Sequence, residues 1–335
     1  MTEAVVFDEF GLENLRIEQR ECKAPGPDEV RVGLRAASLN FRDYMMVKGL
    51  YNPRLAMPLI PLSDGAGEVL EVGPEVRDLA VGDRVCSTMI PDWEEGEATD
   101  SLFRTTLGGP VDGMLCRERT LTARAWMKMP RGFSFQEAAC LPVAGLTAWR
   151  ALNEASIGAG SKVLLLGTGG VSMMALGIAK ALGAEVVITS GSNEKLDRAR
   201  SLGADHCINY KTHPKWGKEV LGIYPNGVDV VVEVGGVGTF GQSARAIKFG
   251  GCISLIGVLA NESKPINLTN ILMRNIKVQG ILVGSRAHFR SYLSFLEENR
   301  IKPVIDRVFK GLESAGQAFQ LMEAGGHFGK IVIEL

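Results

Sequence analysis

Apolar and polar positions change rhythm along this chain. Up to about residue 125 short segments alternate with a period of two: Val30, Val32 and Leu34 are separated by Arg31, Gly33 and Arg35, and 67–73 repeats the pattern. Such alternation marks strands buried on one face, and 81–87 runs from turn residues into another. Residues 91–114 are polar, acidic and glycine-punctuated, which predicts a long loop. From Ser134 the texture differs. Ser134 with Glu137 forms a capping box that opens a helix. Near-continuous apolar strands follow at 162–167, 185–190, 207–210, 229–235, 252–257 and 277–283, and helical stretches at 194–202, 215–222 and 240–249 separate most of them. Apolar strands joined by helices imply a parallel sheet covered on both faces. Beyond 286 the pattern is mixed, with helices near 287–299 and 313–324 and a last strand at 330–334.

The first of these strands ends in Gly167, Gly169 and Gly170, and a helix opens at once with Val171 and Ser172. Gly167 serves a tight turn, Gly169 lets the backbone approach a phosphate, and Ser172 is small enough for the helix to pack on the sheet. The spacing G-x-G-x-x-small is weak alone in a chain with 40 glycines. It gains weight because strand, turn, helix and second strand fill the length of a dinucleotide-binding unit.

An NAD-binding unit carries an acid at the end of its second strand for the ribose 2′-hydroxyl. Here that strand runs out through Thr189, Ser190 and Ser192, and the first acid is Glu194, inside the next helix. Ser190, Ser192 and Lys195 would give hydrogen bonds and positive charge to a 2′-phosphate, which favours NADPH over NADH. The other reading makes the serines plain turn residues and Lys195 a solvated helix charge.

Composition narrows the partners. The 335 residues exceed a single core and suggest two domains, and a net charge of −1 offers no attraction to nucleic acid or to an anionic membrane. No apolar run approaches the roughly 20 residues of a membrane span. The first residues lack the basic and apolar pattern of a signal peptide, and six scattered cysteines without a C-x-x-C pair read as free thiols of a reducing compartment. Cytoplasm is the expected location.

Six short segments, in order along the chain, carry a resemblance: GPDEV (26–30) with ASLNFRDY (37–44), VGDRV (81–85), AACLPVAGLTAW (138–149), the 167–171 turn, LGADHCINY (202–210) and FGK (328–330). Together they resemble the medium-chain dehydrogenase/reductase superfamily, in its quinone oxidoreductase and enoyl reductase branches. The resemblance implies an α/β chain: a β-rich GroES-like catalytic domain over 1–130, to which 286–335 returns, and a Rossmann doubly wound parallel-sheet domain over 131–285. It places Asn40 beside the nicotinamide ribose and the reacting centre and makes Asp43 fix the loop. Tyr44 either donates a proton or walls the pocket. Thr147 contacts the nicotinamide amide or is an interior helix threonine bonded to its own backbone. Val171 lies behind the nicotinamide and Tyr210 near the 2′-phosphate. Gly235, then Ile256, Gly257 and Val258, then Leu282 and Val283 follow the fourth, fifth and sixth strands, where an open parallel sheet binds its ligand. Lys330 either closes over the cofactor or is a surface lysine. A homodimer joined along the sheet edge at 277–283 is expected as well.

The resemblance breaks at the metal. In the zinc-dependent members two thiolates and an imidazole hold the catalytic ion, and those places fall on Asn40, Ser63 and Val143, with Asp64 as the neighbouring acid. Valine has no lone pair to give. The structural zinc of those enzymes needs four close cysteines, and 91–114 contains none. No zinc is therefore expected. Without a Lewis acid the easier chemistry is reduction of an acceptor that is already electrophilic, a hydrophobic quinone, enone or related carbonyl. The competing readings are an NAD(P)-dependent alcohol or aldehyde oxidoreductase and an NADPH-binding protein of low turnover. In either enzyme reading, Trp93 and Phe103 of the long loop cover the substrate entrance or pack on the protein surface or on a partner subunit.

Overall fold

The computed structural model describes residues 1–259 and 265–335. The chain divides into two compact units, Met1–Leu146 with Val283–Leu335, and Thr147–Leu282. The first boundary lies later than the expected 130/131. The reason is the helix Phe135–Ala138, capped by Ser134 and Glu137 as predicted, whose exit is bonded into the first unit: Ser38 Oγ donates to the Ala139 carbonyl at 2.8 Å. The second boundary falls between Leu282 and Val283, a little before the expected 285/286.

The first unit is built on a seven-stranded sheet. Its strands run in the order Ile305–Lys310, Lys330–Glu334, Glu29–Leu39, Asp64–Val72, Arg84–Ser87 and Trp126–Lys128, and Glu118–Thr122 also pairs with Glu29–Leu39. The alternation seen in the sequence is the alternation of burial: Val30, Val32 and Leu34 enter the core with Val69, Val85 and Trp126, while Arg35 is exposed. The C-terminal return occurs through the last strand, where Ile331 pairs with Leu39 antiparallel.

The long segment 91–114 is anchored within this unit. Trp93 is buried, and the amides of Arg286 and Ala287 donate to the carbonyls of Trp93 and Glu94 at 2.8 and 2.9 Å. The Glu94 carboxylate accepts from Arg286 Nε at 2.8 Å and from Arg290 Nη2 at 2.5 Å, both on the helix Arg286–Asn299. Of the two aromatic residues expected either to cover the substrate entrance or to pack on the protein surface or a partner subunit, Trp93 packs into its own unit as an anchor of the loop, while Phe103 is exposed.

The second unit is a parallel sheet of six strands in the order His206–Asn209, Glu185–Ser190, Lys162–Leu166, Val228–Glu233, Ile247–Leu255 and Lys277–Gly280. This is a doubly wound sheet whose order reverses between the Lys162–Leu166 and Val228–Glu233 strands, the place where such sheets bind ligands. Two predicted bounds shift. The helix expected to reach 249 stops at Ala246, because Ile247 already pairs with Val228 and the strand then runs on through an irregular register. The sixth strand is only four residues long and exposed throughout, an edge less apolar than the sequence suggested. No helix among the described residues is long and apolar enough to cross a membrane.

Candidate active site

Three strand ends meet in the first unit. Ser38 lies opposite Asp64 in the antiparallel register, and pairing of Ile331 with Leu39 brings Lys330 beside Asn40. The result is a buried cluster around one carboxylate oxygen. Asp64 Oδ2 accepts from Ser38 Oγ at 3.1 Å, from Asn40 Nδ2 at 2.8 Å and from Lys330 Nζ at 3.3 Å. Lys330 Nζ also donates to Asn40 Oδ1 at 2.6 Å and to the Leu39 carbonyl at 2.7 Å. Asp64 is fully buried and Lys330 is 2 % exposed. Lys330 is therefore not the surface lysine of one sequence-based reading. Its ammonium is sealed into the cluster around Asn40.

Asp43 holds the loop as expected. Asn40 caps the helix Phe41–Val47, and its backbone N–H donates to Asp43 Oδ2 at 2.8 Å while Ser63 Oγ donates to Asp43 Oδ1 at 2.9 Å. Arg42 ties the same helix to the 107–109 turn, donating to Ser63 Oγ and to the carbonyls of Leu107 and Gly109. Leu62, just before Ser63, takes a φ of +71°, a left-handed conformation that is costly for a leucine. Tyr44 has a partner of its own. Its hydroxyl donates to Glu323 Oε1 at 2.9 Å, and burial together with that carboxylate pushes the phenol up from its ordinary value. A tyrosine so engaged is a poor proton donor, and the structure gives it the task of joining two helices, Phe41–Val47 and Ala315–Glu323.

The donors around Asn40 do not fit zinc. Asn40 Oδ1 is taken by the Lys330 ammonium, Ser63 Oγ by Asp43 and Arg42, and Val143 has nothing to donate. Among the described residues no group of three or more His, Cys, Asp and Glu side chains is placed to hold a metal ion. The positive charge beside Asp64 is a side chain. An open cavity of about 740 Å³ in the same unit, lined in part by Leu79, Arg124, Trp126 and Arg286, contains none of the expected site residues.

In the second unit the glycine turn has the predicted shape. Gly167 takes a φ of +70°, and a Cβ added there or at Gly169 would meet no atom within 4 Å, so the space over the turn is open. The helix Gly170–Ala181 starts with Val171 in its first turn, whose N–H groups have no intrahelical partner. Ser172 Oγ donates to the Leu166 carbonyl at 2.6 Å, which draws helix and strand together. These residues fit a dinucleotide pyrophosphate. Thr147 is buried in the first turn of the helix Leu146–Glu154.

Beyond the second strand Ser190 is buried and its Oγ accepts from the Ser192 amide. Ser192 caps the next helix, accepting from the Lys195 amide at 3.4 Å, so its oxygen serves the backbone first. A Cβ at Gly191 would lie 2.8 Å from the Tyr210 hydroxyl and 2.9 Å from Lys211 Cε. Tyr210 and Lys211 thus lean over the bare glycine next to Ser190. Sequence reasoning named Tyr210 and missed Lys211, whose signal was a second cation immediately after it.

Sequence reasoning also missed Glu233. This buried carboxylate ends the fourth strand and accepts from the amides of Gly235 and Gly236 at 2.8 and 3.0 Å, from Thr239 Oγ1 at 2.6 Å and from Ser243 Oγ. The turn is further fixed because a Cβ on Gly257 would come 2.5 Å from the Val234 carbonyl oxygen. Ile256 and Gly257 lie in that packed turn, whereas Val258 is exposed. Leu282 and Val283 follow the short sixth strand, and Val283 takes a φ of +34°, unusual for a β-branched residue.

Two family models match the chain: an alcohol dehydrogenase GroES-like domain over residues 26–131 and a zinc-binding dehydrogenase over 170–298. A zinc-type alcohol dehydrogenase-like protein of Schizosaccharomyces pombe is 41% identical over 99% of this chain and 98% of its own. A quinone oxidoreductase-like protein 2 of Bos taurus is 28% identical over 96% of this chain and 89% of its own. The crystal structure of a putative alcohol dehydrogenase from Sinorhizobium meliloti superposes with a TM-score of 0.92 at 37% identity, covering 100% of this chain and 98% of that one. The word zinc in two of these descriptions has no counterpart in the side chains around Asn40.

Burial pushes the Asp64 carboxyl up to about 6, against the pull of Lys330 and Asn40. Between its ordinary value of 3.8 and about 6 the folded state holds more protons than the unfolded one, so this group's contribution to stability is full below 3.8 and is lost as pH rises through 6. Asp64→Asn is expected to lower stability overall by about 3 kcal/mol, since it strands the Lys330 charge. It should also remove that downward slope. Urea denaturation at several pH values between these limits measures both, and a slope equal to that of the unaltered protein would refute the assignment.

Proposed function

Because the chain belongs to the medium-chain dehydrogenase/reductase superfamily, we propose that it is a zinc-independent, NADPH-dependent reductase of a quinone, an enone or a related activated carbonyl. The observation that carries this reading is the content of the Asn40 cluster: an amide, a carboxylate and an ammonium where a metal-dependent member needs thiolates and imidazole. Such a set has no Lewis acid to activate an alcohol. It has hydrogen-bond donors, which suffice to stabilise the enolate or phenolate that develops when an electrophilic acceptor is reduced. When bound, NADPH supplies the hydride. The protein's part is to hold the acceptor, with Asn40 bonding its oxygen and Asp43 keeping Asn40 at the head of its helix.

The preference for NADPH is supported by Ser190, Tyr210 and Lys211 around Gly191, and by the absence of an acid at that strand end. The bovine relative's name fits a quinone acceptor. The names of the S. pombe and S. meliloti proteins favour a second reading, oxidation of an alcohol. We propose in addition that two copies pair along the edge strand Lys277–Gly280. That edge is exposed and bonded on one side to Ile247–Leu255, and Leu272 and Met273 near it are 77 % and 68 % exposed.

Oxidation of NADPH followed at 340 nm with quinones and enones is expected to show turnover, whereas alcohol-driven reduction of NADP⁺ is not. Turnover only with alcohols would establish the second reading instead. Asn40→Ala should lower kcat by roughly 100-fold while changing NADPH affinity by less than about threefold. An unchanged rate would remove Asn40 from the site. Ser190→Asp should move the NADPH-to-NADH preference towards NADH by about tenfold or more, equivalent to about 1.4 kcal/mol. A constant ratio would show that the 2′-phosphate sits elsewhere. Sedimentation should find a dimer that Leu272→Asp/Met273→Asp dissociates, and a monomeric unaltered protein would end the pairing proposal.

A further inference from the structure

Among the described residues Lys330 is the one cation of the buried cluster, and the reaction as proposed gives it no task. An ammonium has only donors and an ionised carboxylate only acceptors. Asn40 lies between one of each, with its Oδ1 on Lys330 Nζ at 2.6 Å and its Nδ2 on Asp64 Oδ2 at 2.8 Å. The amide consequently has one permitted orientation. Turning it over would set NH₂ against NH₃⁺ and a carbonyl oxygen against a carboxylate. In the permitted orientation one Nδ2–H goes to Asp64, and the second has no acceptor among the described residues.

From this we infer that Lys330 is a positioning residue, which locks the Asn40 amide so that its second N–H is held ready for the oxygen of the acceptor. The inference rests on the proposed reductase reading and assigns to Lys330 a part that neither the cofactor turn nor the fold requires. The anchoring is stiff. Lys330 Nζ is fixed by a third bond, to the Leu39 carbonyl, and its backbone amide is bonded to the Val304 carbonyl at 2.9 Å. Lys330 therefore cannot retreat without opening the pairing of the last strand with Glu29–Leu39. It never touches the acceptor. Its effect passes through Asn40, and a donor kept in place before the reaction acts without reorganisation when charge develops.

The test is Lys330→Met, which keeps most of the side chain's length and removes the donors. It should lower kcat on the order of 100-fold, as expected for a misplaced reacting contact, with the acceptor KM and the NADPH Kd within about threefold of their normal values. Because Lys330→Met leaves Asp64 buried and unpaired, Asp64→Asn/Lys330→Met is measured beside it. This neutral pair should recover stability and leave kcat as low as in the single variant. Lys330→Arg, again a donor-only cation, should regain most of the rate. A double variant that folds and turns over at the normal rate would overturn the inference, as would a loss carried by KM alone. If the unaltered protein reduced no acceptor, the reductase reading would fall, but the lock is still read by side-chain amide NMR. One Nδ2 proton of Asn40 should exchange slowly in the unaltered protein and rapidly in Lys330→Met, and identical exchange in both would refute the lock.

Discussion

The contact between Lys330 and Asp64, 3.3 Å apart and sealed from water, is the constraint around which the cluster at Asn40 is built. Removing two charges from solvent is costly and repaid only when each finds further partners. Here both do. Asp64 Oδ2 takes two additional donors, and Lys330 takes two additional acceptors. Among the described residues Asp64 Oδ1 accepts no bond, so the carboxylate is held from one side. The capped helix that begins at Asn40 is held separately, by Asp43 and Ser63.

The pair is also where the chain departs from the family descriptions that match it. A divalent ion and an ammonium are both positive, but they act at different range. An ion with an open position can receive a substrate oxygen directly, whereas an ammonium with three partners has no donor left to offer. The charge is instead spent on the groups that it holds, Asn40, Asp64 and the Leu39 carbonyl. The chain is an oxidoreductase of the superfamily and keeps its architecture, with polar side chains packed around Asn40.

Much of this architecture was legible in the sequence, because it rests on local rules. The period-two alternation at 30–36, the capping box at Ser134 and the glycine turn at 167–170 each depend on neighbours a few residues apart, and each appears as expected. Lys330 and Asp64 were harder. They are 266 positions apart, and what joins them is the register of two strands on either side of Glu29–Leu39, which no local pattern specifies. The partner of Tyr44 was hidden for the same reason: its hydroxyl bonds Glu323, 279 positions away. Glu233 read as one more strand residue, since an acid in an apolar run gives no sign of the four donors that later surround it.

The anchorage of the 91–114 segment has its own consequence. The segment is fastened by Glu94 between the guanidinium groups of Arg286 and Arg290. A fastening of that kind is made of charge alone, two guanidinium groups on one carboxylate. Its weakness follows from that. High ionic strength screens it, and strong acid that protonates the carboxylate unties it, so this part of the segment's anchorage answers to the salt and acidity of its surroundings.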